Sequence, residues 1–208
     1  MELFITIFGA LLSVMNPFGT VPVFVGLTKE NSKQERKKTA FWTSLNVLMI
    51  LLISFFAGKF ILIFFGITLN SLKIAGGLII VSSGFALLTG EFNKHKGMKK
   101  PKVKEDIENR SEISLTPLAI PMIAGPGTIS LLITYNQEFT GLDNVLIILG
   151  AIVLSAICIY LILKSSFYIV KILGASGINA LSRIIGFIVI AIGVEFIISA
   201  VVNVFNVG

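Results

Sequence analysis

Cysteine is almost missing from this chain: Cys158 stands alone among 208 residues, which excludes an intrachain disulfide and a thiolate metal cluster. Charge is scarce as well. Asp, Glu, Lys and Arg make up 13% of the residues against 55% hydrophobic ones, more apolar surface than a soluble domain of this length can hide. Histidine occurs once, as His95 in a polar stretch where solvation explains it, and the long apolar runs hold no histidine or aspartate. Without a base beside a nucleophile or a zinc motif, the chain reads as no enzyme, with no metal and no other cofactor. The formal net charge of +6 does not point to nucleic acid, because Lys and Arg lie in the gaps between apolar runs, not across a folded face. The opening Met1-Glu2-Leu3 has neither a basic n-region nor a small-residue cleavage site, so the first apolar run is expected to stay in the mature protein.

What is present is a series of membrane-length runs. A helix needs about 20 mainly apolar residues, at about 1.5 Å each, to cross the hydrocarbon core. Six stretches qualify: Glu2 to Lys29, Lys38 to about Phe65, Leu72 to Thr89, Glu112 to Glu138, Asp143 to Lys164, and Ile184 to about Asn206. The sequence therefore predicts an all-α integral membrane protein. Residues 1–90 hold three spans, 91–113 form a polar basic loop, and 114–208 hold three more. With the N-terminus outside, the inner side receives 15 of the 17 basic residues, including seven in the loop, and only Lys59 and Lys73 lie outside. Basic residues favour the cytoplasmic side of short loops, so the reading is a multi-pass inner-membrane protein with both termini outside. Membrane lipids are its surroundings, and no second role is needed for the basic clusters.

Shifting the chain by 109 residues along itself places Pro17 on Pro126, Asn70 on Asn179, Leu72 on Leu181, Gly77 on Gly186 and Gly84 on Gly193, with Asn46 on Ser155. Each half holds an odd number of spans, so the second must enter from the opposite side: the halves are inverted repeats, an arrangement shared by many secondary transporters. The glycines at seven-residue spacing lie on one helix face, where small residues let backbones approach in a membrane. They are assigned to packing.

Five of the six prolines fall in spans one and four, the equivalent helices of the two repeats. In the first, Asn16-Pro17-Phe18-Gly19-Thr20 has the order of an N-cap followed by proline at the first helical position. In the second, Gly125 ends one half-helix and Pro126-Gly127-Thr128 opens another. Two broken helices, with half-helix N-termini near the midplane, are expected. The first N–H groups of a helix have no intrahelical partner and together carry about +0.5 of an elementary charge, which suits a carboxylate. Gly19 and Gly127 leave space, Thr20 and Thr128 add hydroxyls, and the prolines free the carbonyls of Ser13, Phe18 and Met122 for an ammonium group. A small zwitterion fits both ends. The competing reading is two kinked helices whose freed groups are met by their neighbours.

The runs Met15-Asn16-Pro17-Phe18-Gly19-Thr20-Val21-Pro22-Val23-Phe24 and Pro121-Met122-Ile123-Ala124-Gly125-Pro126-Gly127-Thr128-Ile129-Ser130, with the segment from Ser182 to Glu195, resemble the MarC family over nearly the whole chain. The resemblance implies a six-helix inner-membrane protein like the SnatA-type transporters, which take small neutral amino acids such as glycine and alanine and respond to the proton gradient. The substrate-binding candidates are accordingly Asn16, Pro17, Phe18, Gly19, Thr20, Asn46, Gly125, Pro126, Gly127 and Thr128. Asn46 and its mate Ser155 either line a cavity or cross-link helices. Trp42 and Tyr168 are placed near the inner face, as interfacial aromatics are.

Glu195 is the one acid placed within a span. Twelve residues from Arg183, it lies roughly 18 Å into a core about 30 Å thick. An ionised, unpaired carboxylate there is costly, on the order of 2.5 to 3.5 kcal/mol for Asp on insertion scales. Glu195 is therefore the candidate for coupling to a proton, or else a protonated group bonded to a neighbouring helix. Alternatives to the amino acid transporter are a carrier or channel for a small anion and a noncatalytic membrane assembly protein.

The topology has a direct test. A cysteine at Lys100 should resist an impermeant thiol reagent in intact cells, while one at Asn206 should react; the opposite pattern reverses the orientation.

Overall fold

The structure, a computed structural model, describes residues 2–90, 118–119 and 123–205. Among these residues all long elements are helices: α1 Glu2–Met15, α2 Pro17–Leu27, α3 Lys33–Phe65, α4 Leu69–Thr89, α5 Pro126–Glu138, α6 Leu142–Lys164 and α7 Ser166–Phe205. The expected loop over 91–113, His95, Pro117, Pro121 and Met122 lie outside the described residues.

Local chemistry sets the boundaries. Ser32 and Glu35 form a reciprocal capping box at the start of α3, and the Ser32 backbone N–H holds the Glu35 carboxyl below its ordinary pKa. Thr68 caps α4 by accepting from the Ser71 N–H. Gly66, at φ 64°, closes α3 in the left-handed region, where a Cβ would be strained. Gly174, at φ 62° and ψ 178°, breaks α7, and the helix beyond it runs uninterrupted from Ser176. The last span thus begins before the expected Ile184. Arg183 marks a charge boundary, yet backbone hydrogen bonding does not stop where the hydrocarbon does.

α3, α4, α6 and Ser176–Phe205 are each long and apolar enough to cross a membrane, and α1 with α2 passes the same test as a pair bent by 40°. α5 has 13 residues, less than a full crossing; the segment before it lies mostly outside the described residues. Exposed apolar side chains such as Phe56, Phe60, Phe64, Phe187 and Phe205 cover the outside of the bundle, as lipid tails but not water would favour. Trp42 and Tyr168 are exposed among them.

The most extensive helix contact joins α4 to α7, and glycine permits it. A Cβ on Gly77 would lie 2.6 Å from the Gly193 carbonyl oxygen, and one on Gly84 would lie 2.7 Å from that of Gly186. The reverse additions fare no better, at 2.7 and 2.8 Å. These paired contacts run the two helices antiparallel with backbone against backbone, as the seven-residue glycine spacing predicts. Elsewhere the Ser44 hydroxyl of α3 donates to the Ala156 carbonyl of α6, and α3 also packs on α5, α1 on α6, and α2 on α7. The basic run at the start of α3 does more than set topology. Arg36 donates to the Thr28 and Lys29 carbonyls at the end of α2 and lies 3.7 Å over the Phe167 ring of α7, tying three elements together.

Because backbone carbonyls cannot retreat as flexible side chains do, Gly77→Val and Gly84→Val should each lower stability by about 1–3 kcal/mol or more. Gly9→Ala and Gly26→Ala, whose added Cβ atoms meet nothing within 4 Å, should be neutral or stabilising. Thermal melting of the four variants in one detergent checks the contrast.

Candidate functional site

The predicted break at Asn16-Pro17 is present, and at the second position the described residues show the start of a helix at Pro126. α1 ends at Met15, Asn16 adopts φ 40° and ψ 66°, and α2 opens with Pro17 at its first position. Asparagine tolerates this left-handed geometry because its short amide bonds locally. Here the Asn16 Oδ1 accepts the Gly19 N–H at 3.2 Å, so α2 carries its own cap. At the second break Gly125 is extended, Pro126 opens α5, and no side chain caps the new helix. The preceding turn is wide, with the Ala124 N–H donating to the Ala119 carbonyl at 2.9 Å, a five-residue step. The Thr128 hydroxyl is 3.5 Å from the Ile123 carbonyl, a weak contact.

The space that glycine leaves at each break is used by the protein itself. A Cβ at Gly19 would overlap the Asn16 amide, and one at Gly127 would lie 2.8 Å from Ile80 of α4 and 3.6 Å from Val14 of α1. Gly127 therefore sits against the last turn of α1, which brings the two breaks close together in the core. Asn16 and Thr20 are buried, and the Asn16 Nδ2 and Thr20 Oγ1 have no hydrogen-bond partner among the described residues. Ser155 is buried with its hydroxyl equally unpartnered, whereas Asn46 is half-buried and engaged.

A cavity of about 170 Å³ opens beside the first break. Its walls are Gly19 and Pro22 of α2, Thr89 and Gly90 at the end of α4, and Asn179, Ser182 and Arg183 of α7, with Leu87 and Ile178 completing it. Of the ten predicted binding residues only Gly19 reaches it; Pro126, Gly127 and Thr128 lie on the α4–α5 side. The electrostatics are mixed by construction. The first turn of α2 brings the positive end of one helix, and the last turn of α4 brings the negative end of another. Arg183 adds a full charge near Gly90, and none of the described acids pairs with it. Sequence reasoning counted Arg183 only as an inner-side charge and Asn179 only as a repeat match. The signal available was that both lie in or beside the Ser182–Glu195 segment.

A second polar cluster was missed entirely. Lys73 of α4, placed by charge counting on the outer side, is 2% exposed. Its Nζ pairs with the Glu138 carboxylate of α5 and donates to the Ser199 hydroxyl of α7. Glu195, in contrast, is exposed on the outward side of α7 among Val194, Ile198 and Phe187. It touches neither the cavity nor the Lys73 cluster.

The family described as "MarC family integral membrane protein" matches residues 1–205. The chain is 38% identical over 205 residues to a UPF0056 membrane protein of Buchnera aphidicola subsp. Schizaphis graminum, covering 99% of this chain and 94% of that one. It is 34% identical over 198 residues to the UPF0056 membrane protein YhcE of Escherichia coli K12, with 95% and 91% covered. Against the UPF0056 inner membrane protein MarC of Escherichia coli O1:K1 it is 36% identical over 205 residues, with 93% and 91% covered. No solved structure matches.

The two polar residues of the first break should separate in their effect on stability. Asn16→Ala removes the cap and places alanine in a left-handed conformation, at a combined cost of about 2–3 kcal/mol. Thr20→Val replaces an unpartnered buried hydroxyl by an apolar group of the same shape and should leave the melting temperature unchanged or higher. Equal losses in both variants would contradict this assignment.

Proposed function

The chain belongs to the MarC family of integral membrane proteins, and from that premise we propose that it is a secondary transporter of a small neutral amino acid such as glycine or alanine. One observation carries the proposal: the polar cavity joins the N-terminal turn of α2, the Arg183 guanidinium and the C-terminal turn of α4 within one small volume. A carboxylate finds donors at Arg183 and α2, and an ammonium finds the carbonyls that end α4. At about 170 Å³ the cavity is five to six times the volume share of a water molecule, about 30 Å³, room for a few heavy atoms. A bare anion is the weaker reading, since the α4 carbonyls would oppose it.

Alternation between the two sides follows from six spans arranged as two inverted repeats, with both termini outside and the Arg183 end of the bundle facing the cytoplasm. The α4–α7 contact supports this. Gly77 faces Gly193 and Gly84 faces Gly186, the exchange a two-fold axis requires if Gly77 is equivalent to Gly186 and Gly84 to Gly193. Further pairings agree, since α2 on α6 mirrors α5 on α3, and α2 on α7 mirrors α5 on α4. In the present state Asn16, Pro17, Phe18, Gly19 and Thr20 shape the substrate end of α2. Gly125, Pro126, Gly127 and Thr128 take that part in the alternate state, with Asn46 between them. Glu195 is proposed as the proton-coupling group, apart from substrate contact.

Counterflow of labelled glycine in liposomes tests the reading. Arg183→Lys keeps a charge at the end of α4 but loses the planar fork that holds a carboxylate; exchange should fall at least tenfold with melting unchanged. Chloride flux without glycine flux would favour the anion carrier, and flux of neither would favour an assembly role.

A further inference from the structure

The 109-residue equivalence carries four of the nine cavity walls onto polar residues elsewhere in the molecule, while Arg183 falls on Ile74. Gly19 corresponds to Thr128, Gly90 to Ser199, Asn179 to Asn70, and Ser182 to Lys73. Two of these counterparts, Lys73 and Ser199, are the residues joined in the buried cluster with Glu138. The cavity and the cluster are thus the same site in the two repeats, one open and one closed. They lie at opposite ends of α4, Lys73 and Gly90 being about 25 Å apart at ~1.5 Å per residue.

The closure is built from charges that their own helices do not favour. Lys73 lies near the positive N-terminal end of α4 and Glu138 at the negative C-terminal end of α5, so each depends on the other and not on its own helix dipole. A lone ammonium at 2% exposure would be strongly unfavourable, and the Glu138 carboxylate and Ser199 hydroxyl offset that cost. Glu138 itself is 33% exposed, so the pair sits at a rim that water reaches. Inward of it the seam is shut: the Ser130 hydroxyl donates to the Leu72 carbonyl at 3.2 Å, and its side chain fills the notch at Gly76.

We propose that Lys73, with Asn70, Ser199 and Thr128, is a second carboxylate-binding site, the counterpart of the Arg183 cavity on the other side of the membrane, held closed in this state by Glu138 standing where a ligand carboxylate binds. The site rests on the inverted-repeat reading above. A ligand carboxylate takes the Lys73 ammonium from Glu138, α5 parts from α4, and the seam opens from the rim inward to Ser130.

Thiol labelling of purified protein in detergent tests this without sidedness or transport. In a Cys158→Ser background, a cysteine in place of the buried Ser130 should react slowly with a small maleimide. Glu138→Gln should raise the rate at least tenfold, and acetate or glycine should reverse that rise by occupying Lys73. Adding Lys73→Gln to the same protein should abolish the reversal. The exchanged pair Lys73→Glu with Glu138→Lys should restore slow labelling, which separates a released closure from a misfolded variant. An unchanged rate in Glu138→Gln, fast labelling in the exchanged pair, or a rise that neither acetate nor glycine reverses would overturn the site. Reversal by acetate but not by glycine upholds the carboxylate site while counting against the amino acid as substrate.

Discussion

Everything in this molecule hangs on the contact of α4 with α7, where glycine faces backbone on both helices. In a membrane no hydrophobic effect drives two helices together, so their approach depends on how much dispersion contact the surfaces allow. Four glycines remove the side chains that would hold the backbones apart. Because the contact is made twice, at Gly77 with Gly193 and at Gly84 with Gly186, it fixes register as well as distance. One helix counts upward while the other counts downward. That register sets Lys73 beside Ser199 at one end and Arg183 beside Gly90 at the other.

The two ends then receive different chemistry from similar parts. At one, a helix N-terminus, a helix C-terminus and an arginine without a described acid partner surround a cavity. At the other, a lysine, a glutamate and a serine meet from three helices and the seam between them is filled. A buried pair of this kind adds little net stability, because desolvation of both ions offsets their attraction. What it supplies is a position-specific demand: the ammonium is tolerable in the seam only while an acceptor is present. The helix ends sharpen that demand, since each charge lies at the end of its helix that repels it.

How much of this was legible in the sequence depended on whether the signal was local. The break at Asn16-Pro17, the start of α5 at Pro126 and the packing role of the paired glycines are short-range consequences of proline, glycine and spacing, and all are legible in the sequence. Lys73 was misjudged because counting charges on loops assumes that a lysine near a span boundary is wet; its acid partner lies 65 residues away, where no window in the sequence connects them. Arg183 and Asn179 were overlooked for a related reason: a cavity wall is assembled from three helices. The space expected at Gly19 and Gly127 was filled by Asn16 and Ile80, since a close-packed interior leaves few voids for later use.

Those fillings bear on how a carrier returns empty. A protein that moves a carboxylate through a low-dielectric core must also cross between states without it, and a binding cation or a bare helix end left unpartnered would make that passage costly. Two residues supply stand-ins. The Asn16 Oδ1 accepts the Gly19 N–H at the start of α2, and the Glu138 carboxylate occupies Lys73. On the transporter reading proposed above, each offers an oxygen where a substrate oxygen would bind, and each is tethered to its own chain, so it would yield to a ligand without leaving. The stand-ins also limit affinity, because a substrate gains only the difference between its own bonds and those it replaces. If the proposed transport holds, that limit is useful: a site that binds too tightly in one state cannot release into the next.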